Sequence, residues 1–126
     1  MADYELDKSF IAAATTTQFQ VVKFGSADNT CTPVTATSDE MLGVAQESCA
    51  AADAGKRVIS VRLLGVSEVI YGGSVTRGAR LKVTATGTVI AATTDADFVV
   101  GRALTSGVSG DRGQMLLTPA AQRGTA

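Results

Sequence analysis

The sequence predicts an all-β protein: a small β-barrel or β-sandwich of about eight or nine short strands, with an extended N-terminal arm. Three observations carry that prediction. Stretches rich in Val, Ile and Thr are separated by Gly, Asn, Asp and Pro turn signals roughly every 8–12 residues. The chain is 45% hydrophobic but only 5% aromatic and has no Trp, so its core contacts must be small and numerous. Segments compatible with a helix are short or contradicted by a related stretch later in the chain. At 126 residues the chain has the length of one domain.

The strands follow in order. In Met1–Thr17, Asp3, Glu5 and Asp7 alternate with Tyr4 and Leu6, and Phe10 and Ile11 follow. A period of two suits an extended segment. Its apolar side chains make residues 1–17 either a docking arm, with Tyr4, Leu6, Phe10 and Ile11 as the contact residues, or a frayed terminus. The β-rich domain is expected over residues 18–120, with a tail at 121–126. "QFQVVKF" (Gln18–Phe24) opens it, and the turn-rich "SADNTCTPV" allows only an edge strand at Pro33. "RVISVRLLG" sets Ile59, Val61 and Leu63 on one face, and "VSEVIYGG" closes on Gly72 and Gly73. "ARLKVTATGTVIAA" reads as two strands meeting near Gly87, and "DFVVGRALT" and "QMLLT" complete the set.

An internal repeat runs through this pattern. Gly43, Ala45, Ser48, Asp53 and Gly55 recur 58 residues later as Gly101, Ala103, Ser106, Asp111 and Gly113. Thr35, Asp39 and Leu42 meet Thr93, Asp97 and Val100 at the same offset, and upstream of Thr35 the match fades. "QESCAAADAG" could be helical alone, but "LTSGVSGDRG" holds three glycines in the same place, so both are expected to be loops with at most a helical turn. Gly55 and Gly113 each lie two residues after an Asp, which predicts a positive φ at both. Gly43, Gly55, Gly101 and Gly113 are thus the expected structural turn glycines.

No catalytic constellation is present. The chain has no His, which removes Ser-His-Asp and Cys-His arrangements and ordinary zinc sites. "GVSGDRG" lacks the GK[ST] ending of a phosphate loop and the spacing of a dinucleotide fingerprint. Asp39, Asp95 and Asp97 could together hold a hard cation, but "TTDADF" reads as a solvated turn. No enzyme, cofactor or metal is therefore expected. A net charge of −1 with scattered Lys and Arg gives no case for nucleic acid, and no run is long enough for a membrane span. No secretory signal opens the chain, so Cys31 and Cys49 are expected to be reduced and buried.

The stretches "LGVAQESCAAADAGKRVISVRLLGVSEV" and "VTRGARLKVTATGTVIAATTDADFVVGRALTSGVSGDRGQMLLTPA" together resemble the capsid cement, or head decoration, proteins of tailed bacteriophages. The shared layout is an apolar-Gly-x-Ala step at Leu42–Ala45, a strand between Gly55 and Gly65, and a spaced series at Val75, Gly78, Leu81, Val83, Gly87 and Val89. A "VGRAL" step at Val100–Leu104, a Gly-rich turn and a last apolar strand complete it. The resemblance covers roughly residues 17–120. It implies a β-rich module, a homotrimer by preference, made in the host cytoplasm and seated on the outer capsid surface. Its partner would be the major capsid protein, and residues 1–17 would reach along the capsid. Another virion part, such as a tail tube or baseplate subunit, and a carbohydrate-binding β-sandwich are the alternatives.

Overall fold

The computed structural model describes residues 5–37, 39–93 and 99–117. Ten strands lie among them, with one 3-10 turn at Ala51–Asp53 in the loop expected to hold at most a helical turn. Strands β1 (Leu6–Ala12), β2 (Val21–Phe24), β3 (Thr30–Pro33), β4 (Gly43–Ala45) and β5 (Val58–Leu64) form a closed barrel in the order β1-β3-β2-β4-β5. Strands β6 (Val66–Ile70), β7 (Arg80–Val83), β8 (Val89–Ala91), β9 (Gly101–Ala103) and β10 (Arg112–Leu117) form a sheet in the order β6-β10-β9-β7-β8. A parallel bridge between Tyr71 and Val89 joins the two outer strands of that sheet. Both rings therefore have one topology.

The two halves are a tandem duplication, and the backbone ladder shows it pair by pair. Phe10 opposite Ile59 becomes Val69 opposite Gly113, and Val22 opposite Pro33 becomes Leu81 opposite Ala91. Val21 opposite Val44 becomes Arg80 opposite Arg102. The isolated bridge Thr16–Cys49 becomes Val75–Gly107. Even a loop capture repeats: Ser48 Oγ accepts from the Gln18 N–H at 2.9 Å, and Ser106 Oγ accepts from the Arg77 N–H at 2.9 Å. Phe19 (φ 69°) and Gly78 (φ 90°) make the same turn, donating their N–H groups to the carbonyls of Ala45 and Ala103.

The repeat is thus wider than the sequence match, and its last strand is out of step with it. Val61 opposite Ala45 corresponds to Met115 opposite Ala103, so β5 and β10 are 54 residues apart in register. The second loop is shorter by four residues. That slip corrects the glycine assignments. Gly55 has φ 83°, as expected, and donates to the Ala12 carbonyl; its structural counterpart is Gly110, with φ 91°, donating to Tyr71. Gly113 is not a turn residue. It lies in β10 with no positive φ. Gly43 and Gly101 likewise sit inside β4 and β9, where a Cβ would strike the carbonyl oxygens of Arg62 and Leu116 on the neighbouring strand.

Interior packing explains Gly113. The first barrel is filled by Phe10, Ala12, Val22, Cys31, Ala45, Cys49, Ile59 and Val61. The same positions in the second half hold Val69, Tyr71, Leu81, Val89, Ala103, Gly107, Gly113 and Met115. Ala12, Cys49 and Ile59 have become Tyr71, Gly107 and Gly113. A Cβ on Gly107 or Gly113 would run into the Tyr71 ring. One aromatic ring and two glycines replace three smaller side chains, and the Tyr71 hydroxyl donates to the Thr105 carbonyl at 2.7 Å.

A joint unites the halves. The outer face of β2 and β4 presents Val21 and Val44, which are buried with Phe19, Val34 and Met41 in one cluster with the second half's core. Gln20 donates to the Thr86 carbonyl, the Val21 N–H to Gly87 and the Gln46 amide to Ser67 Oγ, each at 2.9 Å. The Arg112 guanidinium lies 5.1 Å from the Phe19 ring. Phe19 holds its left-handed backbone at a cost of about 1 kcal/mol because the buried ring offsets it.

Two further expectations are corrected. The described part of the N-terminal segment, residues 5–17, is not an arm outside the domain: β1 closes the first barrel against β5 and β3, and Phe10 and Ala12 point into its core. The boundary falls instead at Gly65 (φ 103°), between the halves. Pro33 ends an interior strand, since β3 is flanked by β1 and β2. The expected tail at 121–126 lies outside the described residues.

Two predictions follow from this packing. Gly113→Ala should destabilise the protein by about 1–3 kcal/mol through overpacking, and by less on a Tyr71→Val background; equal costs on both backgrounds in denaturant melts would contradict the ring contact. Removing residues 2–12 should abolish cooperative thermal unfolding by opening the first barrel, and an unchanged midpoint would restore the arm.

Candidate docking surface

The duplication exposes one difference between the halves. At one end of the first barrel a cleft of about 610 Å³ is lined by Lys8, Phe10, Phe24, Leu42, Leu63 and the β2–β3 loop Gly25–Asn29. The counterparts of Phe24, Leu42 and Leu63 are Val83, Val100 and Leu117. Those three are buried in the cluster that contains the β2–β4 face. Phe24 is 66% exposed and Val83 only 1%. One mouth is plugged by its own chain; among the described residues nothing plugs the other. Leu6 and Leu64, paired where β1 meets the end of β5, add exposed apolar surface.

The start of β1 is held by charge. Arg62, on β5, binds Asp7 bidentately, with Nε–Oδ1 at 2.8 Å and a second bond of 3.0 Å to Oδ2. It also lies 3.4 Å from Glu5 and donates to the Val66 carbonyl at 2.9 Å. One guanidinium thus ties the start of β1 to the first strand of the second half. Its hydrogen bonds hold the Asp7 carboxyl below the usual value of 3.8, against the opposing effect of burial. Lys8 lies 4.9 Å from the Phe10 ring and donates to Asn29 at 3.4 Å.

Of the contact residues expected from sequence, Tyr4 lies outside the described residues. Leu6 is exposed beside the open end, Phe10 forms its floor, and Ile11 is half-buried, paired with Val58 and Thr30. Phe24, the most exposed apolar side chain of the cleft, had no sequence signal of its own. Only comparison with Val83, once the register is known, marks it.

Other candidates resolve as structure. Asp39 accepts from the Thr35 and Ala36 N–H groups at 2.9 and 3.1 Å and pairs with Lys23 at 3.0 Å. These amides and the ammonium lower its pKa and commit its carboxylate to the loop. Asp95 and Asp97 lie outside the described residues. Among the described residues no group of three His, Cys, Asp or Glu side chains is placed to hold a metal, and no helix is long and apolar enough to cross a membrane. Cys31 and Cys49 are free thiols inside the first barrel, and burial, with Cys49 nearby, pushes the Cys31 pKa up to about 11.

No protein-family model matches this chain, and a search of curated proteins found no match. Among solved structures it is similar to the N base of the head fiber gp8.5 in bacteriophage phi29. The TM-score is 0.70 at 15% sequence identity, over 91% of this chain and 95% of that one. The two share a fold across nearly their whole lengths.

The depressed Asp7 and Asp39 carboxyls set the acid response. Each is deprotonated more readily when folded, so its contribution is complete above the unfolded pKa of about 3.8 and is lost as pH falls through the lower folded value. The thermal midpoint should therefore decline below about pH 4. Asp7→Asn should make that decline shallower while lowering the neutral-pH midpoint, as followed by circular dichroism.

Proposed function

We propose that this chain is a structural protein of a phage virion that binds the outside of the head and reinforces contacts between major capsid subunits, acting as a trimer without catalytic activity. The observation that carries the proposal is the fold shared along almost all of both chains with the base of a phage head fiber. The decoration-protein layout at Leu42–Ala45, Val75–Val89 and Val100–Leu104 adds to it. Many copies on one shell would gain avidity from repetition, each with modest affinity.

Undecorated heads mixed with the purified protein should bind it in stoichiometric, icosahedrally ordered amounts. They should then survive a higher temperature than bare heads. Absence of cosedimentation, with equal head stability, would overturn the proposal.

A further inference from the structure

The open mouth of the first barrel has an internal control in the second. There the same positions are sealed by an apolar pair, Val21 and Val44, on neighbouring strands. Among the described residues, the mouth formed by Phe24, Leu42, Leu63 and Phe10 has no such cover. The chain cannot provide one by repeating the joint head to tail. The β2–β4 face is already committed, and its counterpart on β7 and β9 carries Arg80 opposite Arg102, both exposed. Setting two guanidinium groups on an apolar cleft would desolvate them without partners.

We propose that a second copy of this chain covers the mouth, the copies meeting mouth to mouth around a symmetry axis with Phe24 at the centre of the contact. Charge supports this occupant over an unlike one. The cleft wall holds one cation, Lys8, and one carboxylate, Asp28, and among the described residues neither takes part in an ion pair. A surface bearing one charge of each sign is complementary to itself, so Lys8 of each copy can face Asp28 of the next. The apolar lining between them gives the dry centre that such contacts need. The contact leaves the basic Arg80–Arg102 face turned outward.

The test uses the full chain alone, without heads, so its outcome is read separately from head binding. Sedimentation equilibrium should show an oligomer, and Phe24→Asp should weaken assembly by at least roughly thirtyfold, as expected for a central aromatic anchor. Because Phe24 is largely exposed, the thermal midpoint of the monomeric variant should stay close to that of the equally diluted wild type. Lys8→Glu and Asp28→Lys should each weaken assembly, and the double variant should recover it, which a purely structural role would not produce. Arg80→Glu should have no effect. A wild-type chain that stays monomeric would overturn the proposal, as would an oligomer insensitive to Phe24→Asp. So would a monomer whose binding to heads depends on Phe24, since the mouth would then belong to another protein.

Discussion

A ring of five short strands closes only if its inward side chains fill it to the density of a molecular solid, and the whole structure depends on that condition. Closure removes the unpaired edges that an open five-stranded sheet would carry. It also fixes which positions point inward. In the first half they are filled mainly by Val, Ala, Cys and Ile around Phe10. In the second, Tyr71 takes the space left by the glycines at 107 and 113. Seven of the eight inward positions differ between the halves, and only Ala45 and Ala103 are alike. A composition poor in aromatic residues follows directly, because a ring this narrow has room for about one large ring system per half.

Outside the rings no such condition holds, and there the halves diverge. Val21 and Val44 became Arg80 and Arg102; Phe19, strained and buried, became an unstrained, exposed Gly78. Divergence on the outer face makes the joint directional. One half supplies an apolar face, the other a receptive mouth, and a single copy of the joint forms within the chain. A strictly symmetric duplication would leave an apolar face exposed on the second half and invite open-ended association. The arginines end the series.

The fold class was legible because strand and turn signals are local. The repeat was legible where side chains meet backbone at close range. Gly43 and Gly101 recur because a neighbouring carbonyl leaves no room for a Cβ, and Ser48 and Ser106 recur because each captures an amide. Elsewhere the halves share ladders and not side chains, as Thr16–Cys49 and Val75–Gly107 do, and a main-chain bridge leaves no residue signature. The four-residue slip before β10 then aligned Gly113 with Gly55 and gave it a turn it does not make. The N-terminal alternation was read correctly as extended. Its attachment was not legible, because the residues that hold it, Arg62 and Ile59, lie about fifty positions away. The open mouth was invisible for the same reason, being a difference between positions related only through the register.

The polar side chains of this molecule act largely on its own backbone. Glu47 accepts from the Ser60 N–H, Asp39 from Thr35 and Ala36, Asp111 from Val108, and Thr105 from Tyr71 and Gln114. Short strands joined by long loops leave many amides without a ladder partner, and each must be satisfied or left to solvent. Glu47, Asp39, Asp111 and Thr105 thereby hold loops against rings. Such a scaffold presents shape and apolar area at fixed positions. On the first half that area includes Phe24, whose counterpart Val83 is buried in the second.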